Sequence, residues 1–180
     1  ATISGIEPTT GYVTDPVNAA TGNFVEPERD LVIGNVEFTR MYNSIGDHSS
    51  WFGTGWFSVL DECLTVDDEA AVWFRADGRQ TRFPIERGQY GRGERANWWL
   101  EQVSLTFGDG TAAYALTDNA GHRRLFAADG RLLGFDYDSS SPVSYSYDSE
   151  GRVGAITDAR GRGITVTYEG ERVSQISATD

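Results

Sequence analysis

The feature that most constrains this chain is a spacing. Phe126 is followed by Asp129-Gly130-Arg131-Leu132, Tyr147 by Glu150-Gly151-Arg152-Val153, and Tyr168 by Gly170-Glu171-Arg172-Val173, so the aromatic returns every 21 residues. A second series interleaves with the first: Thr117-Asp118-Asn119-Ala120-Gly121-His122 is answered 40 residues later by Thr157-Asp158-Ala159-Arg160-Gly161-Arg162. Each period therefore carries two turns. Between them apolar and polar residues alternate, Val143, Tyr145 and Tyr147 against Ser144 and Ser146, then Ile164, Val166 and Tyr168 against Thr165 and Thr167. A period of two belongs to half-buried antiparallel strands. Gly130, Gly151 and Gly170 fall where a tight connection needs positive φ. The predicted unit is a β-hairpin, and one hairpin cannot bury its own apolar face, so successive hairpins must stack. The expected fold class is all-β, with antiparallel hairpin repeats forming a curved, extended sheet.

Charge narrows the partners. The 180 residues carry 27 acids against 15 bases, a net charge of −12, and every base is arginine. So acidic a surface repels phosphate backbones and anionic lipids, which argues against nucleic acid as a partner. No apolar run approaches the roughly 18 residues of a membrane helix, and the amino terminus lacks a charged-then-apolar signal segment. Membrane insertion is not expected. Cys63, the sole cysteine, has no partner for an internal disulfide and, among Leu60, Leu64 and Val66, reads as a buried structural thiol.

Aromatic-Asp followed by Gly-Arg-Leu or Gly-Arg-Val, with Thr-Asp-x-x-Gly-Arg between, resembles the YD repeats of Rhs proteins. The residues that carry this resemblance are Tyr147, Gly151, Arg152, Asp158, Gly161, Arg162 and Tyr168. Two departures are Ala159, where the family often has proline, and Glu169, where Tyr-Glu replaces Tyr-Asp. Upstream, Asp15-Pro16-Val17 with Thr21-Gly22, then Asp30-Leu31, then Arg40-Met41-Tyr42-Asn43-Ser44, then Gly53-Thr54-Gly55-Trp56 come in an order that resembles the domain of unknown function opening the repeat shell of Rhs proteins. The organisation expected is a lead-in over 1–14, a shell-opening β domain over 15–112, and hairpin repeats over 113–180. Thr179-Asp180 restarts the Thr-Asp turn, which reads as an array cut in mid-count.

Read as residues alone, the same stretches are structural. Asp15-Pro16 and Thr21-Gly22-Asn23 are turn chemistry, and Gly34-Asn35 is the tip of a two-residue hairpin. Arg40 and Tyr42 are expected on one face of a strand. Gly53 and Gly55 are expected to let backbone approach Trp56, whose indole would fill the core. Strands are expected over Phe57–Leu60, Cys63–Val66, Ala71–Phe74 and Thr81–Pro84. Asp67-Asp68-Glu69 lacks the spaced ligands of a calcium loop and reads as a solvated turn. The Gly- and Arg-rich residues Glu86 to Ala96 lack the Lys-Ser or Lys-Thr of a phosphate loop and read as an exposed, mobile connection.

Catalytic residues are scarce. His48 lies in Gly46-Asp47-His48-Ser49-Ser50, but three neighbours in one loop rarely converge as a Ser-His-Asp triad. His122 takes the slot that Arg162 fills later and reads as a turn residue. Asp129, Asp148 and Asp158 are expected to bond local backbone amides and the following arginines. The family's self-cleaving aspartates lie in a paired Asp-Pro-x-Gly region at the far end of the shell, whereas the Asp-Pro here belongs to the opening motif. No catalytic residue, cofactor or metal site is expected.

The resemblance implies a non-catalytic part of a hollow repeat shell, a β-cocoon. Its partners would be the rest of that shell, an enclosed carboxy-terminal polymorphic toxin and secretion machinery, in an exported bacterial protein used in competition between cells. The alternative is an extracellular adhesion or carbohydrate-binding module, in which tryptophans and tyrosines stack against cell-surface glycans. The two differ in where they place Trp51, Trp98 and Trp99: on one accessible face for glycan binding, in the core for the shell.

Overall fold

The computed structural model describes residues 21–136 and 141–180; Asp15 and Pro16 of the opening motif lie outside them. Within the described residues there is no helix, and the fold is all-β and antiparallel. Strands β1 (Val25–Ile33) and β2 (Val36–Asn43) form a hairpin whose tip is Gly34-Asn35, as expected. A two-residue hairpin follows, β3 (Ser49–Ser50) and β4 (Gly53–Thr54), and β5 (Trp56–Ser58) then pairs with β2. Next come β6 (Cys63–Val66), β7 (Ala70–Phe74) and β8 (Gln80–Pro84), a three-stranded meander close to the predicted segments. The connection Asp67-Asp68-Glu69 is the expected turn: the Asp67 carboxylate accepts the Glu69 and Ala70 amides, both at 2.8 Å.

The largest sheet is an open, eight-stranded meander in sequence order: β9 (Trp98–Phe107), β10 (Gly110–Asp118), β11 (Arg123–Phe126), β12 (Leu132–Asp136), β13 (Val143–Tyr147), β14 (Val153–Asp158), β15 (Gly163–Glu169) and β16 (Arg172–Thr179). The anticipated boundary at 112/113 falls within β10, and the sheet begins at β9. Successive turns of a meander alternate ends, so the two interleaved series separate in space. The Gly-Arg series (127–131, 148–152, 170–171) lies along one end and the Thr-Asp series (118–122, 158–162) along the other.

Among the described residues, five turns share one geometry. At 75–79, 118–122, 127–131, 148–152 and 158–162 the first residue's N–H donates to the fifth residue's carbonyl, and the fourth residue's N–H donates to the first residue's carbonyl. The fourth residue is always glycine, with φ between 78° and 86°. This is a tight turn closed by a left-handed residue, a conformation that glycine adopts without a side-chain clash. After three of the Gly-Arg turns the register slips by one residue, at Leu133, Gly154 and Ser174, so the bulge repeats with the turn and adds twist at each step.

One apolar core joins the two halves, and a smaller cluster of Ala112, Ala115 and Leu125 lies apart from it. The larger core runs from Phe38, Leu60, Leu64, Trp73 and Phe83 through Leu100, Leu116, Phe126 and Leu132 to Val143, Ile156, Ile164 and Val166. The amino-terminal strands thus cover one face of the long sheet, burying the apolar face that a hairpin cannot bury alone.

Glu86 to Ala96 form a mostly exposed connection, as expected, and one tied by backbone hydrogen bonds. Glu86 bridges Gln89, the Gly93 amide donates to the Trp98 carbonyl, and the Leu100 amide donates to Gly91. Gly93 is buried so tightly that a Cβ would press on Thr81 and Phe83. These bonds cover the outer edge of β9 at Trp98 to Leu100, a device that keeps part of an edge strand from pairing with other chains.

Candidate functional site

The Gly-Arg turns are built as latches. In 148–152 the Asp148 carboxylate accepts the Glu150 and Arg152 amides, both at 2.9 Å, and the Arg152 Nε–H at 2.8 Å. Arg152, held in this way, lies 4.4 Å over the Tyr168 ring, and the Tyr168 hydroxyl donates to the Val153 carbonyl at 2.9 Å. One repeat earlier Arg131 lies 4.9 Å over Tyr147, whose hydroxyl donates to the Leu132 carbonyl at 2.8 Å. Each repeat tyrosine therefore locks onto the turn before it by a cation–π contact and a hydrogen bond. Burial pushes both phenols up, Tyr168 to about 12, so they remain donors at any physiological pH.

At the other end Asp158 accepts the Arg160 and Arg162 amides and two Arg162 guanidinium bonds, the shortest 2.7 Å. Desolvation acts to raise this carboxyl, but the Arg162 and backbone hydrogen bonds outweigh it and hold it near 2. Asp118 repeats the pattern with His122, confirming His122 as a turn residue. Asp158 and Arg162 meet the β1–β2 tip, where a Cβ on Gly34 would strike both. Gly161 supplies the left-handed residue of that turn.

Among the opening-motif residues, Thr21 accepts the Asn23 amide and Gly22 has φ 70°, a turn as expected. Arg40 makes a bidentate pair with Asp30 at 2.7 and 2.6 Å, and its guanidinium lies 5.1 Å over Phe52 and 4.9 Å over Trp56. Tyr42 meets Trp56 at 5.2 Å, so Arg40 and Tyr42 do share a face. The expectation that Trp56 fills the core is corrected. Its indole is half-buried in this stack, and alternation along β5 turns Phe57 inward instead. Gly55 makes room for the Asn43 carbonyl and the Tyr42 ring, and Gly53 for Arg172.

The two halves enclose a cleft of about 600 Å³ at the Gly-Arg end. One wall is His48 to Trp51 with Leu60 to Cys63; the other is Arg131, Tyr147, the turn residues Glu150 to Arg152, Gly170 and Glu171. Two backbone contacts bound it: the Leu64 amide donates to the Gly130 carbonyl at 2.9 Å, and the Val173 amide to the Trp51 carbonyl at 3.0 Å. Trp51 also meets Tyr168 edge-on at 5.3 Å.

Cys63 is half-buried in this wall rather than sealed in the core. Burial pushes its thiol pKa up, and Asp61 and Glu62 push it further, the opposite of what activates a nucleophile. His48 stacks on Phe57 at 4.8 Å, and its Nε2 stands 3.7 Å from Asp61, an ion-pair separation longer than a hydrogen bond. The approach to Asp61 raises the His48 pKa against the opposing pull of burial. Ser58 donates to Asp61 at 2.7 Å but is fully buried, away from any substrate. Among the described residues no group of acids, histidines and cysteines is arranged to hold a metal.

Sequence reasoning missed the joint between the halves. Glu62, its side chain only 4% exposed, accepts the Arg124 Nε–H at 2.6 Å and the Trp73 indole N–H at 2.9 Å. Arg124 in turn lies over Trp73, Trp98 and Phe135. The available signal was a pair of acids, Asp61 and Glu62, set inside an apolar run. Of the three discriminating tryptophans, Trp51 and Trp98 are half-buried against Tyr168 and Trp73, while Trp99 is 38% exposed under Arg92.

Residues 14–83 match a domain of unknown function, DUF6531. The match takes in the opening motifs and ends within β8. No curated protein matches the chain.

Proposed function

We propose that this chain is a non-catalytic stretch of a repeat shell that encloses a carboxy-terminal polypeptide, a toxin delivered to competing cells. The observation that carries the reading is the latch repeated from hairpin to hairpin, in which Tyr147 and Tyr168 each fasten onto the preceding turn. Such a unit adds to a sheet one step at a time and forms a continuous wall, the property enclosure needs. The order of the opening motifs over 14–83 points the same way. In this reading the protein acts by surface complementarity and exclusion, in an exported bacterial protein. Its partners are the remaining repeats, the enclosed chain and the machinery that exports them.

Protease protection on the full-length gene product, followed by intact-mass analysis, tests it. A carboxy-terminal polypeptide should resist digestion while the shell is intact and become cleavable once it is opened. Free digestion of everything beyond residue 180 from a folded array would sink the idea. Glycan binding draws support from Trp99 alone, since Trp51 and Trp98 have ring partners within the fold.

A further inference from the structure

Turns 127–131 and 148–152 have the same backbone hydrogen bonds, an arginine over the next tyrosine in both and nearly the same glycine φ, 86° and 78°, although the aspartate that holds the arginine is the third residue in one and the first in the other. They differ in what they meet. At the first, β6 docks: Leu64 donates its amide to the Gly130 carbonyl, Cys63 bridges Arg131, and a Cβ on Gly130 would sit on the Leu64 carbonyl oxygen. At the second, nothing lies within 4 Å of where a Gly151 Cβ would be, and among the described residues no group donates to the Gly151 carbonyl. The 600 Å³ cleft opens there instead, a size within the range of roughly 300–1,000 Å³ typical of ligand sites.

The charges around the Gly151 end of the cleft are lopsided. Arg131 and Arg152 are already paired, with Asp129 and Asp148. Among the described residues no cation lies within ion-pair distance of Glu171, which is exposed, and Glu150 pairs with Arg152 while its side chain remains 67% exposed. Asp61, on the far wall, is already engaged by Ser58 and His48, which leaves Glu150 and Glu171 as the carboxylates that face the cleft.

We propose that the cleft over the 148–152 turn docks an extended peptide segment bearing a basic side chain. Its backbone N–H donates to the Gly151 carbonyl as Leu64 does to Gly130, and its cation pairs with Glu171 and Glu150. Main-chain bonding supplies affinity in such strand additions and side chains supply selection. The inference stands on the equivalence of the two turns and is independent of enclosure.

The test titrates capped octapeptide pools, with arginine or glutamate fixed at the central position, into the 15N-labelled chain of residues 1–180. Arginine pools should shift the amide signals of residues 48–51, 150–152 and 170–171, and glutamate pools should leave them in place. Methylating the donating backbone nitrogen of a selected peptide should weaken it about tenfold, the effect of one lost hydrogen bond. Glu171→Gln should weaken it about threefold and flatten its salt dependence. Ser49→Trp, at an exposed residue of the wall, should keep the melting temperature and lose the peptide. The proposal is overturned if no pool shifts those signals, if both charge classes shift them equally, or if every backbone nitrogen can be methylated without loss. Shifts there from oligosaccharides and from no peptide would overturn it too.

Discussion

Gly130 and Gly151 have almost the same φ, 86° and 78°, and differ in the room they leave for a side chain. Gly151→Ala meets open space, so its cost is the left-handed strain alone, about 1–2 kcal/mol. Gly130→Ala carries the same strain and also forces β6 away from the turn, adding roughly 1–3 kcal/mol as overpacking does. Urea denaturation of the two variants should separate them in that order, and equal losses would mean that β6 is not held against the turn. Glu62 offers a second comparison at this scale. Glu62→Gln removes the carboxylate that meets the Arg124 cation beside Trp73, Trp98 and Phe135, and should cost about 3–5 kcal/mol. Replacing both partners, Glu62→Leu with Arg124→Met, should recover most of that loss, because it removes both charges together with the bond. This pair was out of reach of sequence reading because 62 residues separate its members. Pattern reports what neighbours in a strand share, and says nothing of which distant charge shares a pocket.

At the scale of the element, what could be read was whatever the local backbone demands. The turns require glycine in the left-handed region and an aspartate to collect amides, so Asp148, Gly151, Asp158 and Gly161 were visible from spacing. A fifth turn was equally visible and went unrecognised as a member of the set: Ala76-Asp77-Gly78-Arg79 and Ala128-Asp129-Gly130-Arg131 are the same tetrapeptide in the same geometry. It lies outside the stretch where the 21-residue interval holds, so periodicity does not group it with the others. The aspartate turns also set an acid limit on stability. Asp158 sits near 2 when folded, against about 3.9 for an unperturbed aspartate, and Asp118 and Asp148 are lowered as well. A carboxyl depressed by folding stabilises the fold fully above the unfolded value and loses that contribution as pH falls through the folded one. The melting temperature should therefore hold from pH 7 to about 5 and fall between about 4 and 2. Asp158→Asn should melt lower at pH 7 and lose less across the acid window. Parallel curves for the two proteins would show that this turn does not contribute to acid sensitivity.

Over the whole molecule the question is whether the resemblance to two successive modules corresponds to two folding units. The packing argues for one. Phe38, Leu64, Trp73 and Phe83 from the first half and Leu116, Phe126, Leu132 and Ile156 from the second belong to one buried cluster. The Glu62–Arg124 pair and the Leu64–Gly130 and Trp51–Val173 backbone bonds cross between the halves. A cut at 112/113 would also divide β10, leaving β9 without the register that pairs Leu100 with Leu116. Expressed separately, residues 1–112 and 113–180 should each fail to show a cooperative thermal transition, because each exposes one side of the shared core. Mixed, they should regain a single transition and protect the amides of β6 and β12 from hydrogen exchange together. Two independent transitions that persist on mixing would mean that the halves fold alone and merely touch. The single-unit outcome carries a consequence for the hairpin array itself. An array whose inner face is completed by strands from the preceding segment cannot begin folding as a free-standing sheet. Its first repeats would be organised by the Leu64 contact at Gly130, and later hairpins would add by the tyrosine latch.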